Sequence, residues 1–253
     1  MELKDSVSII TGGASGLGEA TTRKFHSLGG KVCIFDLDNL RGKKLEKELG
    51  ENCAYFSVDV CSEPDLVDAI EAVINQFNKI NININCAGIA LAEKTLGREG
   101  SHDLSRFKKI IDVNLIGTFN ILRLCAEKMA KNPLDKNHER GIIINTASVA
   151  ALEGQKGQVA YAASKGGVSA MTLPIARDLA REHIRCCCIA PGLFLTPMFD
   201  GLGEEVCEAL AKDVVFPKRL GDPNEFAEYA SQIVQNTYIN GSVMRLDGGI
   251  RLA

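Results

Sequence analysis

The chain has 253 residues, of which 45% are hydrophobic and 24% charged, the balance of a soluble globular protein. The 29 basic residues against 32 acidic ones leave a net charge of −3, which speaks against a broad nucleic-acid-binding surface. No apolar run is long enough to cross a membrane, and the opening MELKDSVSII runs straight into an apolar strand, unlike a cleavable presequence or secretory signal.

Val7 to Thr11 is a short apolar run that stops at Gly12-Gly13-Ala14-Ser15-Gly16-Leu17-Gly18, and a helical pattern follows through Leu28. Strand, glycine loop and helix in that order let backbone N–H groups approach a pyrophosphate at a helix N-terminus. The second strand, Lys31 to Asp36, ends in an acid that can accept hydrogen bonds from a ribose and would repel a 2′-phosphate. Ser15, which is not basic, precedes Gly16, and both features favour NAD over NADP. An amphipathic helix, Leu37 to Leu49, carries Arg41 on its solvent face and stops at Gly50.

Cys53 to Val60 reads as a third strand, with Asp59 at its end facing an adenine amino group. Ser62 ahead of Glu63-Pro64 is the expected N-cap of a helix from Pro64 to Phe77. Ile80 to Cys86 alternates as I-N-I-N-I-N-C. Strict alternation ordinarily means a half-exposed strand, but a central parallel strand is covered on both faces. Asn81 and Asn83 therefore need partners, and Asn83 is expected to be buried and hydrogen-bonded. Cys86-Ala87-Gly88 closes that strand with small residues, leaving room for a ribose.

Residues 93–104 form a polar, glycine-rich loop at the rim. Leu104 to Met129 reads as mostly a long helix, in which Asn114 is a packing or bending feature. Gly141 to Ser148 is the fifth strand and delivers Ser148 at its C-terminal end, where α/β sheets place their ligands. A helix from Gln158 to Arg181 holds Tyr161 and Lys165, and Pro174 is expected to kink it or divide it. Ile184 to Ala190 is the sixth strand. Pro191 to Pro197 then turns over the site, with Phe194, Met198, Phe199 and Leu202 as an apolar lid or as core. A helix from Pro223 to Val234 and a strand from Gly241 to Asp247 finish the pattern. With no repeat and no linker, residues 1–253 read as one α/β domain, a Rossmann-like doubly wound parallel β-sheet with helices on both faces.

The nine cysteines include no C-x-x-C pair, and Cys33, Cys53, Cys86 and Cys186-Cys187-Cys188 fall in apolar segments. Reduced thiols acting as small hydrophobes are expected. The four scattered histidines give no zinc spacing, so no metal is expected.

Tyr161 and Lys165, four apart, share a helix face. An ammonium about 5 Å from a phenolate at an effective dielectric of about 20 attracts it by roughly 3 kcal/mol. That would lower a tyrosine pKa from about 10 to about 8, so Tyr161 could exchange a proton with an alcohol or ketone near neutral pH. Ser148 could hold the same oxygen. A Tyr and a Lys sharing a face by chance is the bland alternative, and YxxxK alone is a weak signal.

The combination is more specific. TGGASGLG, Asp36, VDV at 58–60, NCAG at 85–88, Asn114, Ser148 with Tyr161-x-x-x-Lys165, and PGLFLT at 191–196 together resemble the classical short-chain dehydrogenase/reductase family along nearly the whole chain. The resemblance implies Tyr161 as general acid/base and Lys165 as the group that lowers its pKa and holds the nicotinamide ribose. It implies Ser148 positioning the substrate oxygen and Asn114 holding a water of the proton relay. Gly12, Ser15, Gly16, Leu17, Gly18, Asp36, Asp59, Val60, Cys86, Ala87, Gly88, Tyr161, Lys165, Phe194 and Thr196 would line NAD. Gln158 would lie beside the substrate with Ser148 and Tyr161. The implied reaction is reversible hydride transfer between NAD and a secondary alcohol. The implied substrates are 3-hydroxyacyl-CoA, including the branched 3-hydroxy-2-methylbutyryl-CoA of isoleucine breakdown, and 17β-hydroxysteroids. The resemblance further implies a homotetramer, a mitochondrial setting with the cytoplasm as alternative, and a tRNA methyltransferase partner in tRNA processing. Two other readings compete: a non-catalytic or dual-role scaffold on the same fold, and a sugar epimerase, which ordinarily needs a longer C-terminal region.

Overall fold

The computed structural model describes residues 1–4, 6–98, 100–197 and 209–252. Runs of Val, Ile and Cys form β1 (Val7–Thr11), β2 (Lys31–Asp36), β3 (Cys53–Ser57), β4 (Ile82–Asn85), β5 (Gly141–Thr146), β6 (Ile184–Pro191) and β7 (Val243–Leu246). They make one seven-stranded sheet in the order β3-β2-β1-β4-β5-β6-β7, and every pairing is parallel. The chain moves outward from β1 to β3, returns to β4 on the other side of β1, and continues to β7. That reversal opens a crevice at the C-terminal ends of β1 and β4.

Successive side chains of a strand point to opposite faces, and each face is covered. Val7, Ile9, Cys33, Ile143 and Cys186 pack with α3 (Glu63–Phe77), α5 (Thr118–Met129) and α6 (Val159–Asp178). Ile10, Val32, Ile34, Ile84 and Cys187 pack with α1 (Gly16–Ser27), α2 (Asn39–Leu49) and α7 (Pro223–Gln235). Burial on both faces is the reason the strands read as near-continuous apolar runs. All eight described cysteines are free thiols, and six of them are buried as expected.

The asparagines of β4 have the partners the pattern demanded. Asn83 is fully buried, and its amide exchanges bonds of 3.0 and 2.9 Å with Asn85. Asn85 in turn donates to Asn145 of β5 at 2.8 Å. Asn81 lies just outside the strand and accepts from the Val7 N–H at 3.1 Å. Ser62 caps α3 by accepting from the Asp65 N–H, and Arg41 is solvent-exposed and paired with Asp38.

Four points refine the expectations. The third strand ends at Ser57, so Val58 to Val60 form a loop over the sheet edge. The long helix from Leu104 is not uniform: α4 (Leu104–Ile111) passes through a π turn, Asp112–Gly117, before α5 begins. Pro174 does not divide α6, which runs unbroken past it. The proline is exposed, so the carbonyl it leaves unpaired one turn earlier can turn to water instead of ending the helix. Phe194 is buried and stacks edge-on against Phe226, so it belongs to the core. Met198, Phe199 and Leu202 lie outside the described residues.

Arg185 in β6 gave no signal in the sequence. It is 5% exposed, and its guanidinium donates to the carbonyls of Ile233, Val234, Asn236 and Ile239 while pairing with Glu139. It thereby satisfies carbonyls at the C-terminal end of α7 that have no partner within the helix.

Candidate active site

The glycine loop is built so that no side chain fills it. Gly12 sits at φ +63°, and a Cβ there would lie 2.9 Å from the Ala87 nitrogen. At Gly18 a Cβ would meet the Gly12 carbonyl at 2.1 Å, so only glycine lets α1 start this close to β1. Ser15 precedes α1 in extended conformation, and its hydroxyl makes no capping bond, leaving the N–H groups of the first turn open. Asp36 at the end of β2 accepts from the Ala14 N–H at 3.0 Å and from the Asp38 N–H at 3.0 Å. The acid thus pins the loop to β2 and keeps lone pairs for a diol.

Between β4 and α6 the packing is equally constrained. The Asn114 side chain pairs with the backbone of Ile89, accepting from its N–H at 2.8 Å and donating to its carbonyl at 2.9 Å. It also donates to Ser164 Oγ at 3.1 Å. Both amide protons are therefore committed, while Oδ1 keeps one lone pair. Its backbone carbonyl accepts from Thr118 Oγ1 at 2.8 Å within the π turn, the kind of helix irregularity that clusters at functional sites. Gly88 keeps this region open, because a Cβ would lie 3.2 Å from Asn114 Oδ1 and 3.5 Å from Lys165 Nζ.

Tyr161 and Lys165 lie one turn apart in α6, with the Lys165 Nζ 5.9 Å from the centroid of the Tyr161 ring. Lys165 is buried and donates to the Thr146 carbonyl at 2.8 Å. Ser148 accepts from the Ala150 N–H at 3.1 Å, which fixes it at the start of a short 3₁₀ turn beside the phenol. Burial pushes the Lys165 ammonium down to about 8. The phenol does not follow the expected fall toward 8: burial raises it, and the Ser148 hydroxyl opposes that only in part. Desolvation outweighs the ammonium because Lys165 is directed at Thr146 and stands off the phenol.

One cleft of about 1170 Å³ contains these groups. Each residue expected to line a dinucleotide lies on the wall of this cleft, from Gly12 through Asp36, Asp59, Cys86 and Lys165 to Thr196. Ser148 is there too, whereas Asn114 lies beneath the wall. Gln158 is not among the lining residues, and its side-chain oxygen accepts from the Gln155 N–H at 2.9 Å. Asp59 is likewise engaged with the Cys61 N–H at 2.9 Å. The side-chain-free cradle, the open helix start and the acid at the tip of β2 fit a dinucleotide without a 2′-phosphate. Lys108, Lys109 and Thr146 also line the cleft. The two lysines were not singled out from the sequence.

The comparisons with known proteins agree with this geometry. Residues 6–207 match the short chain dehydrogenase family model. The chain is 50% identical to a human 3-hydroxyacyl-CoA dehydrogenase type-2 over 252 residues, 99% of this chain and 97% of the relative. The crystal structure of 3-hydroxyacyl-CoA dehydrogenase type-2 from Mycobacterium avium superposes with a TM-score of 0.94 at 44% identity, covering 98% of this chain and 96% of that one. A 3-ketoacyl-(acyl-carrier-protein) reductase from Brucella melitensis, complexed with NADH, reaches 0.86 at 28% identity, with 98% of each chain covered. With its parallel sheet, its glycine cradle and its Ser148, Tyr161 and Lys165 gathered in one cleft, the chain belongs to the short-chain dehydrogenase family of oxidoreductases.

Proposed function

We propose that the protein is an NAD-dependent dehydrogenase that interconverts the secondary alcohol and ketone of a 3-hydroxyacyl thioester, foremost 3-hydroxyacyl-CoA. The observation that carries this reading is the meeting of the Tyr161 phenol, the Ser148 hydroxyl and the buried Lys165 ammonium in the cleft that begins at the glycine cradle. Bound NAD supplies the acceptor for the hydride and, when reduced, its donor. Asp36 takes the adenosine ribose and disfavours a 2′-phosphate, while the first turn of α1 faces the pyrophosphate. Ser148 orients the substrate oxygen. Tyr161, neutral at pH 7 in its buried setting, gives its proton to the ketone oxygen as the alcohol forms, and in the reverse direction takes it back. Lys165 stabilises the phenolate left behind and would hold the nicotinamide ribose of bound NAD. Proton resupply then runs past Asn114.

The type-2 dehydrogenase relatives favour the acyl thioester over a steroid alcohol, which is the second substrate class to be measured. A mitochondrial homotetramer with a tRNA methyltransferase partner accompanies this reading by family resemblance. The test follows NADH consumption by the purified protein with acetoacetyl-CoA and with a 17-ketosteroid. Turnover of acetoacetyl-CoA is expected. Turnover of the steroid alone would move the assignment to hydroxysteroids, and turnover of neither would overturn it.

A further inference from the structure

An ion network ties the segment after Ser148 to the end of the sheet. Arg245 of β7 donates through Nη1 to Glu153 Oε1 at 2.8 Å and through Nη2 to Glu153 Oε2 at 3.3 Å. Glu153 Oε2 also accepts from the Leu252 N–H at 3.0 Å, and Arg251 stands 3.6 Å from Oε1. The same Arg245 donates through Nε to Asp247 and through Nη2 to the Ile250 carbonyl at 2.8 Å. One guanidinium therefore holds the turn after Ser148, the end of β7 and the residues that follow it.

Both ends of this network touch the cleft. Gly192 is part of the cleft wall, and a Cβ there would lie 2.8 Å from the Asp247 Cβ. Glu153 closes the short turn that starts at Ser148. Its N–H and that of Leu152 each donate to the Val149 carbonyl at 3.0 Å, and the Ala151 N–H donates to the Ser148 carbonyl at 3.0 Å. The next residue, Gly154, meets α6: a Cβ there would lie 2.8 Å from the Ala162 Cβ, one residue past Tyr161. Ser148 and Tyr161 are thus carried on two pieces of backbone that meet at Gly154, and the Arg245 fork grips the first of them. The paired side chains are 22% and 21% exposed, a setting in which an ion pair adds little net stability. A planar fork on a carboxylate fixes direction instead, and at a reacting centre a misplacement of about 1 Å can cost about 10²-fold in rate.

We propose that Arg245, acting through Glu153, is a positioning residue that holds the Ser148 hydroxyl in register with the Tyr161 phenol. The inference rests on Ser148 orienting the substrate oxygen and goes beyond it by assigning what keeps Ser148 in place. The test is a double-mutant cycle of wild type, Arg245→Gln, Ser148→Ala and the double variant, each followed by single-turnover oxidation of bound NADH with acetoacetyl-CoA. Arg245→Gln should slow the wild-type rate roughly tenfold, with the NADH dissociation constant unchanged. In the Ser148→Ala background the same substitution should cost nothing further, because the group it acts through is gone. Glu153→Gln keeps the size and an acceptor oxygen while removing the charge; it should reproduce both results, and it decides the matter where Arg245→Gln fails to fold. A wild-type rate in these charge variants, or an equal loss with and without the Ser148 hydroxyl, would overturn the positioning role. Ser148→Ala at the wild-type rate would overturn the role of Ser148 on which it rests. Wild type that left NADH unoxidised would overturn the proposed function itself.

Discussion

Lys165 donates to the Thr146 carbonyl at 2.8 Å, and so joins α6 to the last residue of β5 through a buried charge. This contact sets the ammonium under the cleft floor, 5.9 Å from the Tyr161 ring, and it has a measurable cost.

Burial lowers Lys165 from its ordinary 10.5 to about 8. Below pH 8 the folded protein must hold a charge it disfavours. Between about 8 and 10.5 the fold has released a proton that the unfolded chain still binds, so stability rises with pH. The shift corresponds to about 3 kcal/mol at neutral pH, offset in part by the bond to Thr146. Lys165→Met is expected to gain about 1–2 kcal/mol in urea unfolding at pH 7 while losing turnover. The gain should shrink toward pH 10.5. A variant less stable than wild type at pH 7 would show that the charge is not strained.

The raised phenol gives the two reaction directions different pH profiles. Ketone reduction needs the protonated Tyr161, which burial keeps dominant beyond the ordinary value of 10. Its rate should hold a plateau from about pH 6 to 7 and decline above about 8, where Lys165 loses the charge that stabilises the phenolate. Alcohol oxidation needs the phenolate and should climb from pH 6 upward. Initial rates in both directions check this, and a reduction rate that falls between pH 6 and 7 would speak against a neutral tyrosine donor.

Asp36 is expected to set cofactor choice. Its replacement by Ala removes charge-assisted bonds to the ribose, each worth about 1.5–3 kcal/mol. The kcat/KM for NADH should fall about 10- to 100-fold, while that for NADPH holds or rises as the repulsion goes. Unchanged discrimination between the two cofactors would remove Asp36 from the ribose site.

Gly117 closes the π turn against the loop after β3. A Cβ there would stand 2.7 Å from Val60 Cγ2. Gly117→Ala should cost about 1–3 kcal/mol in stability through overpacking and raise the KM for NADH, because Val60 lines the same cleft. A neutral effect on both thermal midpoint and KM would mean that the turn and loop separate freely.

Much of this was readable from the chain. The glycine loop and Asp36 follow from local spacing, the Ser148, Tyr161, Lys165 group was carried by the family resemblance because YxxxK alone is weak, and the β4 asparagines found their partners because a central strand leaves no water for them. The sequence marked Asn114 as a packing or bending feature, but the π turn around it and its bonds to Ile89 involve a different part of the chain and could not be read locally. Of the two outcomes expected at Pro174, a kinked or a divided helix, division does not occur, because the exposed turn lets the freed carbonyl reach water. The Tyr161 phenol was misjudged for a related reason: an i, i+4 spacing fixes a distance, but burial fixes the dielectric and Thr146 fixes where the ammonium points.

The central claim is that Tyr161 moves the proton. Tyr161→Phe keeps the ring and its packing and removes only the hydroxyl. Single-turnover oxidation of bound NADH by acetoacetyl-CoA should slow by about 10²- to 10⁴-fold, with the NADH dissociation constant unchanged. A variant that retained the wild-type rate would contradict the account.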